Sequence, residues 1–328
     1  MERLRRTVVQ LEEAKRFILD GEVARLRLAL ILLDNAVEVM LHRTVSEELR
    51  DANMYARMVR TLPEGPLDPK GEALRQELSA KVIAPSRQKK VARYFGEKLT
   101  LLIDRGRITP GTASALRHLH DYRNELQHHD HVRPESIRPA TLILFDITLD
   151  LMVQLVPGSS VWASNDDMRW LQDYGIREPF PIGRDDLREV IANGLRSGLP
   201  LDVAGVRDAL IAHLGVRLDD MESNITELSA DAQSAQELAR MLRHLRTWER
   251  GLPDDPSETG VAPFDALTSL PRWRTSVKAL GAIPDKLDLF DCFGKLEDEI
   301  EPLEQGLQEI VDAVEAAGEG AADIARGA

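Results

Sequence analysis

The chain is 328 residues long, 43% hydrophobic and 30% charged, with 5% aromatics, 21 glycines and 17 prolines. That apolar content suffices for one large or two ordinary cores, and the few aromatics disfavour an all-β protein, so helices are expected and wholesale disorder is excluded. The net charge of −13 hides an asymmetry: residues 1–150 sum to +3 and residues 151–328 to −16, which predicts two units with different partners and an acidic half that does not bind nucleic acid by itself.

In chain order, Leu26, Leu30, Leu33, Val37 and Leu41 recur at steps of three and four, predicting one helix of about 30 residues or more from Glu22 onward. Pro63, Gly65, Pro66 and Pro69 end it. A helix is predicted over roughly 69–81, and another after Pro85 with Ser86 as N-cap and Val91, Phe95, Leu99, Leu102 and Ile103 along one side. Thr109 and Pro110 read as a capping hydroxyl followed by a proline at the first helical position. That helix runs into a histidine-rich string, Pro134 closes the loop after it, and an apolar helix over 140–156 completes a bundle of about five helices.

Pro157, Gly158, Pro179, Pro181 and Gly183 mark 157–183 as a linker, with a short helix around 166–174. Beyond it Leu218, Met221, Ile225, Leu228, Ala232, Ala235, Ala239 and Leu242 form a coiled-coil seam. A second seam uses Phe293, Leu296, Ile300, Leu303, Leu307, Ile310 and Val314, with Pro302 expected to kink or restart its helix. Paired as an antiparallel hairpin, the two would set Arg240, Arg243, Arg246 and Arg250 against Glu297, Asp298 and Glu299. The Gly- and Ala-rich tail is expected to fray. The organisation predicted is all-α: a helical bundle over 1–156, a linker over 157–183 and an acidic, coiled-coil-like helical region over 184–328.

The apolar stretch 28–33 stops at Asp34, and 141–156 carries Asp146 and Asp150, so neither supplies the roughly 20 apolar residues of a membrane span. The residues after Met1 lack an uninterrupted apolar run and a small-residue cleavage site, and Cys292 is the single cysteine, which excludes an internal disulfide and a thiolate zinc site. A cytoplasmic location and no membrane partner are expected.

Five of the eight histidines lie between positions 118 and 131, in RHLHDYRNELQHHDH, a clustering not expected of core packing. Within it Arg123, Asn124 and His128 form Arg-Asn-x-x-x-His toward the end of a helix. This resembles the signature of the HEPN family, in which an arginine, usually followed by a polar residue, precedes a histidine. The resemblance covers roughly residues 20–156. It implies a helical bundle that forms a homodimer or higher oligomer and, in many members, a metal-independent endoribonuclease of toxin, antiphage or RNA-processing kind, with RNA as substrate and no cofactor. An inactive HEPN-like scaffold that only assembles partners is the opposing reading.

The chemistry asks for these residue types. Attack by the 2′-hydroxyl of RNA needs a group that titrates near neutrality, the property of histidine, and His128 is assigned that role. The phosphorane gathers negative charge on its non-bridging oxygens, which a guanidinium meets with a fork of donors, the role assigned to Arg123. Residues five apart on a helix are separated by about 140°. Arg123 and His128 are therefore expected to complete a site across a two-fold axis, with Asn124 orienting the imidazole of His128.

Arg207 and His213, with Asp208 after the arginine, also fit the family spacing of four to six intervening residues but lie in the acidic half, and His213 is expected to pack on an amphipathic helix. A rival enzyme reading takes His42, His120, Asp121 and Asp146 as the ligand set of an HD-type metal-dependent phosphohydrolase. His118, His129 and His131 also fit a solvated helix end. Arg87, Lys89, Lys90 and Arg93 form the densest basic cluster, with Lys98, Arg105 and Arg107 beyond it; phosphate contacts to RNA and a plain solvated face both fit. Asp34, Asn35 and Glu38 interrupt an apolar helix, and HEPN-like proteins often bring a polar group from an earlier helix to the site. The tryptophans Trp162, Trp170, Trp248 and Trp273 all lie in the acidic half and are expected to pack in cores or hinges. That half is further expected to shield the basic half or to receive a regulatory protein partner. No Gly-rich loop ending in Gly-Lys-Ser/Thr is present, which excludes P-loop chemistry.

Overall fold

The computed structural model describes residues 2–63, 65, 68–128, 134–156, 169–176, 184–231 and 266–326, and every regular element among them is helical, as expected. The chain divides into two compact units, Met1–Val132 with Ala140–Asp202 and Arg133–Pro139 with Val203–Ala328.

The first unit opens with helices α1 (Glu2–Asp20) and α2 (Val23–Thr61), packed against each other. The turn between them needs a left-handed residue, and Gly21 supplies it at φ 78° without a Cβ penalty. Leu4, Val8, Leu11, Ala14 and Ile18 of α1 bury against a stripe on α2 that contains all five predicted residues, Leu26, Leu30, Leu33, Val37 and Leu41. Each such leucine contributes about 2 kcal/mol of hydrophobic stabilisation, so packing of this face, rather than intrinsic propensity, holds a helix of 39 residues.

Helix α3 (Pro69–Lys81) starts where Asp68 Oδ1 accepts the amide of Gly71 at 2.7 Å. The helix predicted after Pro85 is two helices, α4 (Pro85–Arg93) and α5 (Phe95–Asp104), separated by the extended residue Tyr94 at φ −100°, ψ 134°. Ala84 rather than Ser86 holds the cap position of α4, because Pro85, with no amide to satisfy, takes the first helical site. The break resets the helical phase: Val91 and Leu99 are both buried in the core, while Phe95 points elsewhere. Helix α6 (Pro110–His128) begins as predicted, with Thr109 Oγ1 accepting the Thr112 amide at 3.1 Å. Helix α7 (Pro134–Leu155) starts at Pro134, earlier than the predicted residue 140, and accommodates Pro139 inside it.

A short 3-10 helix (Arg169–Tyr174) falls within the predicted 166–174. Helix α8 (Arg184–Arg196), placed by sequence at the start of the acidic region, belongs instead to the first unit. Three contacts explain the correction: Arg196 Nε donates to the fully buried Asp146 at 3.0 Å, Arg188 Nη1 donates to the Val156 carbonyl at 2.6 Å, and Lys15 Nζ reaches the Ser197 carbonyl at 2.7 Å. Composition put the boundary at the proline-rich linker, whereas buried charge pairing carries it on to Asp202.

The second unit contains α9 (Val203–Asp231), α10 (Ala266–Ala279), a 3-10 turn (Leu280–Ala282) and α11 (Lys286–Arg326). Leu218, Met221, Ile225 and Leu228 of the first seam are buried, as are Phe293, Leu296, Ile300, Leu303, Leu307 and Ile310 of the second. The remainder of the first seam and Arg240, Arg243, Arg246 and Arg250 lie outside the described residues. Among the described residues the expected antiparallel hairpin is not found. Arg274 meets Asp219 while Gly281 lies against Ile211, so α10 runs antiparallel to α9. Pairings of α9 with α11 advance together, from His213 near Phe293 to Arg217 on Glu304, so those two run parallel, with α10 making the return. Glu297 is taken by Arg217, and Glu299 by Arg272 and the indole of Trp273. Helix α11 continues through Pro302 without restarting, held by buried residues on both sides of it. No described helix is long and apolar enough to cross a membrane.

Candidate active site

Three helices of the first unit converge on one carboxylate. Asp34 and Glu38 lie four residues apart and so share a face of α2, His120 and Arg123 lie three apart on α6, and Phe95 opens α5. The Asp34 side chain is only 2% exposed, and each of its oxygens is used. Oδ1 meets His120 Nδ1 at 2.8 Å, and Oδ2 accepts from Arg123 Nε at 2.7 Å and also from Nη2. The geometry is a fork of two nitrogens on a single carboxylate, the strong form of charge-assisted pairing.

Glu38 stands at the edge of this pair. Its Oε1 lies 3.3 Å from Arg123 Nη2 and 3.7 Å from His120 Nδ1, with 41% of the side chain exposed. Asn124 Oδ1 accepts from Arg123 Nη1 at 2.8 Å. Asn124 thus serves the arginine through its Oδ1; the expectation that it orients the imidazole of His128 lies outside the described residues. The Phe95 ring stacks on His120 with centroids 4.0 Å apart and planes 10° from parallel. Asp34, being a carboxylate, can only accept, so Nδ1 of His120 carries the proton. Nε2 is then the basic nitrogen, and the hydrogen bond His120 makes to the described residues is the one from Nδ1 to Asp34.

His128 closes α6, and its side chain lies outside the described residues, as do His129 and His131. Two residues before it, the Leu126 carbonyl accepts from Arg27 of α2 at 3.0 Å, which ties the end of α6 to the same helix that supplies Asp34. His118 is buried rather than part of a solvated helix end. Asn35 points away from the cluster and accepts from Gln10 of α1.

The basic cluster is partly neutralised. Arg87 pairs with Asp104, Arg105 and Arg107 pair with Glu48, and Arg93 lies 5.3 Å from the centre of the Tyr94 ring. Lys89 and Lys90 remain exposed on α4 with no ion pair among the described residues. The second Arg-His match is separate from the site: His213 is buried beside Phe293 in the second unit, as packing on an amphipathic helix requires. Trp273 is also buried, as expected, and Trp162 and Trp248 lie outside the described residues.

The HD-type set does not assemble. Asp146 is committed to Arg196, His42 is exposed, and the ligand-spaced group among the described residues is Asp34, Glu38 and His120, whose atoms lie within 4.8 Å of one another. A divalent cation entering that group would meet the guanidinium of Arg123 already seated on Asp34 and Glu38. Its fixed positive charge repels the ion, and the cluster is better described as an ion-pair network than as a metal centre. Sequence pattern singled out Arg123, Asn124, Asp34 and Glu38 but gave His120 only to the metal reading; the signal available was its position one turn before Arg123 on the same face.

No family model matches the chain, and neither a curated protein nor a solved structure is similar to it.

Proposed function

We propose that the first unit is a HEPN-type, metal-independent endoribonuclease that cleaves RNA through attack of the 2′-hydroxyl, acts as a homodimer or higher oligomer, and serves as a toxin or antiphage effector. The observation that carries this reading is the seating of Arg123 on Asp34 of an earlier helix, beside a histidine and at the exposed rim formed by Glu38. A buried anchor fixes the guanidinium in space, and a transition-state phosphorane arriving at the rim replaces Glu38 as the anion it meets. His128 is the acid–base group of the signature, and Lys89 and Lys90 extend the contact along the phosphate chain. The acidic second unit takes a regulatory protein partner.

A scaffold reading is favoured by one specific observation, that Asp34, Glu38 and Asn124 together engage Arg123 as a structural ion-pair network does. One experiment separates the two. Wild type, Arg123→Ala and His128→Ala proteins are incubated with total RNA in EDTA and in Mn²⁺, and the ends of the products are analysed. Cleavage in EDTA that leaves cyclic phosphate and disappears in both variants supports the ribonuclease. Absence of cleavage in every condition supports the scaffold.

A further inference from the structure

We propose that His120 is a second acid–base residue of this site, a catalytic residue whose Nε2 takes the proton of the attacking 2′-hydroxyl. The inference rests on the ribonuclease reading of Arg123 and adds to it a histidine that lies outside the Arg-Asn-x-x-x-His signature.

A general base needs one fixed nitrogen with a lone pair open to substrate, next to the group that holds the reacting phosphate. His120 meets each condition. Asp34 holds its Nδ1 at 2.8 Å, Phe95 covers one face of the ring at 4.0 Å, and the side chain keeps 14% of its surface exposed, while its hydrogen bond to the described residues engages Nδ1 and not Nε2. Arg123 sits one helical turn further along α6, on the second oxygen of the same aspartate. The pair is therefore complete within one chain, unlike Arg123 and His128, which lie about 140° apart around the helix axis. The charged groups facing the imidazole are Asp34 and Glu38 from α2 and Arg123 from its own helix; α5 contributes the uncharged Phe95 ring. Asp34 plays the part of the third group that fixes the tautomer of a catalytic imidazole.

The step balances without a co-reactant. The 2′-oxygen bonds to phosphorus as its proton passes to His120 Nε2, and the bond from phosphorus to O5′ breaks as His128 delivers a proton to O5′. The products are a 2′,3′-cyclic phosphate and a 5′-hydroxyl. Exchange with water then returns a proton to His128 and removes the one on His120.

The test measures single-turnover cleavage of a single-stranded RNA across about pH 5 to 8, the range over which histidine titrates, with wild type, His120→Asn, His128→Ala and Arg123→Ala. The side-chain amide of asparagine reproduces the Nδ1 donor to Asp34 but does not titrate, so a merely positioning role survives this change. The expected result is a fall of about a hundredfold or more in rate, with RNA affinity and thermal midpoint kept and the ascending limb of the pH profile lost. Replacing O5′ of the substrate by sulfur, a leaving group that needs no acid, restores cleavage in His128→Ala and not in His120→Asn. If His120→Asn does not fold, the wild-type pH profile decides, and a rate independent of pH overturns the proposal without any variant. A His120→Asn protein with the wild-type rate and pH profile, while Arg123→Ala and His128→Ala are inactive, overturns it and leaves the ribonuclease reading intact. Wild type that cleaves nothing, or an Arg123→Ala protein as active as wild type, overturns both.

Discussion

Asp34 and Arg123 form a pair in which both Nε and Nη2 of the arginine reach one carboxylate oxygen, 89 residues away in sequence and almost wholly buried. Removing one partner of such a pair strands the other in a poorly solvated site. Asp34→Ala is therefore expected to lower stability by about 3–5 kcal/mol, measured as the change in urea midpoint and slope. A loss under about 1 kcal/mol, the worth of an exposed pair, would show that the network is solvated and contributes little.

Glu38 occupies the exposed side of the same guanidinium, where an RNA phosphate is proposed to arrive. Glu38→Gln keeps the side-chain shape and removes a negative charge that competes with the substrate. The expected result is tighter binding of a 2′-O-methyl RNA by about threefold to fivefold, the effect of up to roughly 1 kcal/mol, with an unchanged thermal midpoint. Weaker binding in fluorescence anisotropy would mean that Glu38 itself contacts RNA as an acceptor.

Lys89 and Lys90 are the lysines of the basic cluster, both exposed and without an ion pair among the described residues. If each neutralises one phosphate of single-stranded RNA, changing both to alanine lowers the slope of log K against log salt by about 1.4, at about 0.7 per contact. Arg87→Ala, by contrast, removes a residue already paired with Asp104 and is expected to alter that slope little. Equal effects of the two changes would argue that the whole helix is simply a solvated face.

Tyr174 of the 3-10 helix donates to Glu12 at 2.7 Å, and burial, followed by that acceptor, pushes its phenol well above the ordinary tyrosine value. A group whose folded value is raised adds stability that is fully present below the unfolded value, about 10 for tyrosine, and is lost as pH rises through the folded one. The thermal midpoint of wild type is thus expected to fall more steeply above about pH 10 than that of Tyr174→Phe. Parallel curves for the two proteins from pH 8 upward would show that the phenol ionises freely in the folded state.

Much of the architecture was legible because helical faces repeat locally. The stripe on α2, the start of α6 at Thr109 and the bounds of α3 follow from period and caps alone. What was not legible depends on partners distant in sequence. Tyr94 interrupts an unbroken apolar stripe and Phe95 stacks on His120, and nothing local to α5 encodes that contact. The unit boundary moved to Asp202 for a similar reason, since the acid that holds Arg196 lies 50 residues upstream. Parallel packing of α9 and α11 depends on the intervening α10, which a pattern search over two seams does not weigh. At the site, the spacing of Arg123 and Asn124 and the polar interruptions at Asp34 and Glu38 were visible as isolated signals. Their convergence on one carboxylate is a property of tertiary packing.

The flat contact between Phe95 and His120 has a consequence for molecular motion. An imidazole on a surface helix samples several side-chain torsions, and bringing it to one orientation when a ligand arrives costs entropy. Here the aromatic ring blocks rotation on one face and Asp34 fixes the ring edge, so both torsions of His120 are set when the chain folds. An incoming molecule meets an imidazole that has no conformational search left to make, because that search ended when α5 and α6 packed.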